Sequence, residues 1–231
     1  RDHLKSKGYS YEQMLQANLI QKSREKESYY DVFRNRVMVP ILDVSGNVIA
    51  FGGRLLEDGK QPKYLNTSDT PAFRKSKNLF ALNFAKDYCS DRMILCEGYM
   101  DVIALHGAGF SNAVATLGTA MTPDHARMMK RYTKSVVISY DADAAGQNAA
   151  DKAFRLLGEV GLEARLLKVE NAKDPDEFIK KFGKDAFRKL LDGSKPQFEF
   201  KFDRIADKYN LNALEDKIKA SGEVARLIAT F

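Results

Sequence analysis

Two stretches decide how this chain folds: Met93-Ile94-Leu95-Cys96-Glu97-Gly98-Tyr99-Met100-Asp101 and, further on, Ser135-Val136-Val137-Ile138-Ser139-Tyr140-Asp141-Ala142-Asp143. Each is a short apolar run that delivers carboxylates just past its C-terminal edge. Such runs, rich in Val and Ile and bounded by polar residues, predict buried strands. Paired in one parallel sheet, they bring Glu97, Asp141 and Asp143 to the same rim, where open α/β sheets keep their ligands. Three gathered carboxylates repel one another, and a hard divalent ion such as Mg²⁺ is the natural counter-charge.

Working outward, the pattern alternates. Strands are expected at 93–97, 113–116, 135–140 and 163–168, with helices at about 99–108, 123–132 and 144–158. Thr122 and Pro123 suit an N-cap and first helical position, and Gly158 and Gly161 suit the end of the third helix. This alternation predicts a parallel sheet covered by helices. An acidic loop follows, Lys173-Asp174-Pro175-Asp176-Glu177, and residues 178–231 read helical, with Phe178, Ile179, Phe182, Phe187, Leu190 and Leu191 as apolar positions.

Upstream, residues 1–22 are expected to be helical. Ser10 and Gln13 form a capping pair, Met14, Leu15 and Leu19 share a face, and Gly8 ends an earlier helix. Residues 23–30 carry no period and read as a loop. Residues 36–43 and 48–51 predict a hairpin around Ser45-Gly46-Asn47, with a third strand at 63–66. Gly52-Gly53 allows a bulge or a close backbone approach to a ligand.

The 231 residues are 44% hydrophobic and 29% charged, an ordinary globular composition. No run approaches a membrane span. Arg1-Asp2-His3-Leu4 shows no signal pattern and reads as a cut into a longer protein. Two cysteines, Cys89 and Cys96, are too few for a disulfide framework and fit a reduced cytoplasmic setting. With three scattered His they form no zinc set. The net charge of +6 is uneven: residues 1–90 hold 15 Lys and Arg against 10 Asp and Glu, and residues 91–231 hold 22 against 21. A basic surface separate from the carboxylates suits an enzyme that works on phosphate while holding a polyanion. Arg34, Arg36, Arg54, Lys63 and Lys77 are its candidate cations, flanking strands so that they reach one surface; charge guarding an edge strand is the plainer alternative.

Phosphoryl or nucleotidyl transfer needs charge neutralised and an oxygen activated, which two ions held by carboxylates accomplish. Each carboxylate also has a plain structural role open to it. Asp143 can cap the helix starting at Ala144, Asp174 the helix opened by Pro175, and Asp101 can sit in a first helical turn.

Glu97-Gly98-Tyr99-Met100-Asp101 followed by Asp141-Ala142-Asp143 resembles a TOPRIM domain, the module shared by topoisomerases, DnaG-type primases and some nucleases. The resemblance is closer to the bacterial DnaG-type primases. Ala115-Thr116-Leu117-Gly118-Thr119-Ala120 and Ser139 to Gly146 are similar to that family's TOPRIM core. Arg34 to Ile41, Phe51-Gly52-Gly53-Arg54 and Pro62-Lys63-Tyr64-Leu65-Asn66 resemble its basic N-terminal subdomain, and Lys173 to Glu177 its third acidic motif. The match covers about residues 1–190.

The resemblance implies an α/β fold: a TOPRIM parallel sheet flanked by helices (91–180), a basic mixed α/β N-terminal subdomain (1–90) and a C-terminal helical subdomain (181–231). It implies metal-dependent synthesis of short RNA primers on single-stranded DNA during replication. Asp141 and Asp143 would bind Mg²⁺ or Mn²⁺, two or more ions in all, with Asp174 and Asp176 near a further ion. Glu97 would be a ligand or general base and Asp101 a supporting residue. Arg34, Arg36, Arg54, Lys63, Tyr64, Asn66 and Lys77 would contact template or ribonucleoside triphosphate. The implied partners are single-stranded DNA, ribonucleoside triphosphates and the RNA primer. A replicative helicase would bind through a domain after Phe231, and the family's zinc-binding domain would precede Arg1, so no zinc is expected here. The chain is expected to be a cytoplasmic monomer off the membrane. A TOPRIM nuclease leaves the basic segment unexplained, a topoisomerase needs a tyrosine nucleophile on a separate domain, and a non-catalytic single-strand binder is the remaining alternative.

Overall fold

The computed structural model describes residues 1–23, 27–57, 61–140, 143–169, 171–172 and 174–229. Asp141 lies outside the described residues.

The chain opens with α1 (Asp2–Ser6) and α2 (Tyr11–Gln16), followed by β1 (Ile20–Lys22) and β2 (Tyr29–Asp31). Ser10 and Gln13 form the expected capping box. Of residues 1–22, expected to be helical with an earlier helix ending at Gly8, the two helices form on either side of Gly8, but Ile20–Lys22 is a strand. Asn18 takes a left-handed φ of 55°, and Ile20 is drawn into an antiparallel ladder with Asp31. Leu15 stays 37% exposed while Met14 is buried. Tyr29 and Tyr30, expected as loop, join Asp31 in the other strand of that ladder.

Next come β3 (Arg36–Leu42), β4 (Val48–Leu55) and β5 (Tyr64–Asn66), an antiparallel sheet in the order β3-β4-β5. Pro40 is tolerated because β3 is an edge strand. Asp43 sets the turn: its carboxylate accepts from the Asn47 side-chain amide and from the backbone amides of Asn47 and Ser45, and those bonds hold its pKa below the usual range. The one register shift in the hairpin falls at Ile41/Leu42, not at Gly52-Gly53.

After a 3₁₀ turn (Lys75–Lys77) come α3 (Leu82–Ala85), β6 (Met93–Cys96), α4 (Tyr99–Gly107), β7 (Ala113–Ala115), α5 (Pro123–Lys130), β8 (Ser135–Ser139), α6 (Ala144–Glu159) and β9 (Glu163–Leu166). They are followed by α7 (Pro175–Phe182), α8 (Lys184–Asp192), β10 (Lys195–Pro196), α9 (Gln197–Lys208) and α10 (Leu214–Ile228). The sheet order is β10-β9-β8-β6-β7, with β6 to β9 parallel and β10 antiparallel on the edge.

Alternation along the strands divides the core. Met93, Leu95, Val136 and Ile138 face one side with Ala126, Met129, Ala153, Phe154 and Leu157 of α5 and α6. Ile94, Cys96 and Val137 face the other with Val102 and Leu105 of α4 and Phe187 and Leu191 of α8. Both faces are covered, which is why the strands read as continuous apolar runs. Burying each Val, Ile or Leu here contributes about 1.5–3 kcal/mol. The sheet therefore fixes where its C-terminal rim points.

Candidate active site

Because β6 and β8 pair in register, Cys96 with Ser139, the chain leaves both strands at one rim. Glu97 follows β6 directly and is exposed. Gly98 then caps α4, its amide donating to the Asp101 carboxylate at 3.3 Å. Asp143 caps α6, accepting from the Gly146 amide at 2.8 Å. Asp174 caps α7, accepting from the Glu177 amide at 2.8 Å. The capping roles open to Asp143 and Asp174 in the sequence are thus realised. A carboxylate has two oxygens and about four lone pairs, so a cap does not exhaust it.

A second wall comes from β4 and β5. The register pairs Gly52 with Asn66 and Arg54 with Tyr64, and strand alternation puts all four on one face. A Cβ at Gly52 would meet Asn66 Oδ1 at 3.0 Å and the Tyr99 ring at 3.1 Å. The glycine therefore makes room for Tyr99, the first residue of α4. That ring meets Tyr64 edge-on at 5.7 Å and tilts against Phe80. Burial, then the neighbouring Tyr64, pushes the Tyr99 phenol up to about 12, so it stays neutral as a wedge between the two units. Its hydroxyl oxygen and Asn66 Oδ1 are buried with no hydrogen-bond partner among the described residues.

Between the walls lies a cavity of about 660 Å³. Of the residues expected from the sequence, Glu97, Asp101, Asp174, Asp176, Arg54, Lys63, Tyr64 and Asn66 line it. Asp176 pairs with Lys180 at 2.5 Å, and Lys180 lines the cavity too. Among the described residues no three His, Cys, Asp or Glu side chains stand close enough to hold a metal ion together.

Three expected cations lie elsewhere. Arg34 is exposed, its guanidinium 4.8 Å from the Tyr30 ring centre. Lys77 is exposed on the 3₁₀ turn. Arg36 is 9% exposed, and here the structure corrects the expectation of a surface contact. Val37 pairs with Arg54, so Arg36 projects from the opposite face to Arg54. Its guanidinium donates to the carbonyls of Gly53, Lys63 and Pro62 at 3.2, 3.2 and 2.8 Å. Arg36 thus ties the approach to β5 onto β4, which sets where Lys63 and Tyr64 stand. Within the chain, the side chains that close on Gly52-Gly53 are Asn66 and Tyr99 at Gly52 and Arg36 and Phe33 at Gly53.

Sequence reasoning assigned no role at the site to Lys180, Thr116 and Gly118, which also line the cavity. Gly118 carried a usable signal: its φ is +71°, and a Cβ there would sit 3.0 Å from Asn66 Nδ2.

Three family models match successive parts of the chain. Residues 1–86 match the model of the DNA primase catalytic core N-terminal domain, 94–179 a Toprim-like model, and 198–231 the DnaB-helicase binding domain of primase. The last match falls within the chain, whereas the expectation from the sequence puts such a domain after Phe231. The DNA primase of Clostridium acetobutylicum is 45% identical over 226 residues, covering 97% of this chain and 37% of that protein. The chain thus spans well under half the length of that curated relative. A DNA primase domain from Pseudomonas aeruginosa superposes with a TM-score of 0.82 at 37% identity, over 98% of this chain and 73% of that one. A DnaG primase catalytic domain bound to ssDNA gives 0.82 at 35% identity, over 98% and 75%.

Proposed function

Since the chain belongs to the family of DnaG-type DNA primase catalytic cores, we propose that it carries the nucleotidyltransferase centre that makes short RNA primers on single-stranded DNA. The observation that carries this reading is the cavity with Arg54, Lys63, Tyr64 and Asn66 on one wall and Glu97, Asp101, Asp174 and Asp176 on the other. Cations hold phosphate, and carboxylates are the hard oxygen donors that Mg²⁺ or Mn²⁺ prefers.

The donor chemistry fits divalent ions. Asp141, Asp143 and Glu97 would hold one ion, with Asp174 and Asp176 near another. When bound, such ions neutralise charge developing on the α-phosphate and the departing pyrophosphate. Arg54 and Lys63 bind phosphates of the template or incoming ribonucleoside triphosphate. Glu97 serves as ligand or takes the proton of the primer 3′-hydroxyl. Asp101, bonded to the Gly98 amide, holds the loop that follows Glu97. Tyr99 and Phe80 pack the two walls together.

Three units follow from this reading: a basic N-terminal subdomain over 1–90, the TOPRIM domain over 91–180 and a helical subdomain over 181–231. The similarity at 198–231 supports contact with a replicative helicase. The setting is the bacterial cytoplasm at the replication fork, with the chain as a monomer. Among the described residues no helix is long and apolar enough to cross a membrane.

Incubating the chain with single-stranded DNA, ribonucleotides and Mn²⁺ tests the proposal. New RNA supports it. Cut DNA would make the chain a TOPRIM nuclease, and neither product would leave a binding module.

A further inference from the structure

The 3₁₀ turn Lys75–Lys77 with the preceding Arg74 carries three cations close together, and its backbone is gripped from outside. Thr122 Oγ1 donates to the Ser76 carbonyl at 2.8 Å. His125 Nε2 meets the Lys75 carbonyl at 2.9 Å. His125 is wholly buried, and its Nδ1 accepts from the Thr122 amide at 3.3 Å. With Nδ1 accepting, the proton sits on Nε2, so the ring donates to Lys75. Two side chains at the start of α5 therefore hold two successive carbonyls of the turn.

The same segment is fixed on either side. The Lys75 amide donates to Asp69 Oδ1 at 3.0 Å, Asn78 Nδ2 donates to the Arg74 carbonyl at 2.8 Å, and Phe80 bridges Ala115, the last residue of β7. Arg74 and Lys77 remain exposed and Lys75 half-buried. Holding these carbonyls also sets where the exposed Arg74 and Lys77 leave the backbone. Phosphate contacts fix the register of a bound strand only where the cations themselves are held in place.

We propose that His125 and Thr122 are positioning residues that fix the Arg74–Lys77 turn on the TOPRIM unit, so that its cations meet the phosphates of single-stranded DNA. This rests on the template-binding reading above, and the test separates the two.

Affinity for a labelled single-stranded oligonucleotide is measured by fluorescence anisotropy in the intact chain. His125→Asn keeps an acceptor near Nδ1 but falls short of Lys75; His125→Gln restores a donor near Nε2. Thr122→Val removes the bond to Ser76 and also the α5 N-cap bond that the same oxygen accepts from the His125 amide, and Thr122→Ser restores both. H125N and T122V are each expected to weaken binding roughly 3- to 10-fold, the scale of one lost hydrogen bond, with H125Q and T122S close to the parent. In an Arg74→Ala, Lys75→Ala, Lys77→Ala background, H125N is expected to add nothing. Unchanged affinity in H125N and T122V, or the same loss with and without the three cations, overturns the positioning role. If removing Arg74, Lys75 and Lys77 leaves affinity intact, the template reading of the turn itself falls. Should H125N fail to fold, T122V carries the same comparison.

Discussion

Gly53 and Arg36 share one space: a Cβ on Gly53 would stand 2.9 Å from Arg36 Cδ and 3.0 Å from the Phe33 ring. Arg36 lies across the empty side-chain position and reaches three carbonyls from there. Gly53→Ala should cost about 1–3 kcal/mol by overpacking. Arg36→Met should cost a comparable amount, because it orphans carbonyls around Lys63. Urea midpoints check both. If Arg36 were a ligand contact, R36M would instead lose binding with its stability intact.

The carboxylates that cap helices allow structure and chemistry to be separated. Asparagine caps as well as aspartate, whereas alanine loses about 1 kcal/mol. Asp143→Asn should therefore melt with the parent yet lose primer synthesis by roughly 100-fold or more, the scale of electrostatic stabilisation. Asp143→Ala should lose both. Thermal melts beside a primer assay decide it, and a D143N variant with parental activity would remove Asp143 from the metal site.

Asp141→Ala should abolish most turnover on the same electrostatic ground. Retention of near-parental primer synthesis by this variant would end the metal assignment at Asp141.

Arg54 and Lys63 line the cavity, and their division between template and nucleotide shows in salt dependence. Removing a contact to single-strand phosphate lowers the slope of log K against log salt by about 0.7. Arg54→Ala and Lys63→Ala should each weaken binding. A reduced slope assigns the residue to the template, and an unchanged slope assigns it to the triphosphate.

Burial holds His125 below its usual pKa, against the opposing pull of its bonds to Lys75 and Asn78 and the nearby Asp124. The unfolded chain therefore takes up a proton that the folded chain refuses. Stability from this source is complete above the unfolded value of about 6.5 and is lost as pH falls below it. Urea midpoints should drop from about pH 7.5 to about pH 5.5 by more in the parent than in H125Q. Equal drops would show that His125 takes no part.

The central sheet was legible because its determinants are local. Val136, Val137 and Ile138 are buried on both faces, so no tertiary fact was needed to read a strand. Thr122 and Pro123 announced α5 by side-chain chemistry alone. The ladder of Ile20 and Asp31 was not legible, since three-residue strands have no period and each is stabilised only by its partner. Arg36 was misplaced for a related reason. A sequence displays a charge, which by default faces water, but not the glycine on the neighbouring strand that gives it a bed. Lys180 sits four residues after Asp176 in an ordinary helical pattern, and only the folded cavity distinguishes it from Lys181.

The amide bonds that Asp143 and Asp174 accept have one more outcome. The helices they begin are anchored by the polypeptide itself, so chelation should strip ions without melting the scaffold, unlike a zinc finger, which unfolds when its ion is taken away. One preparation can then be emptied and recharged with magnesium, manganese or cobalt in turn, and differences in rate between those states will belong to the ions rather than to refolding.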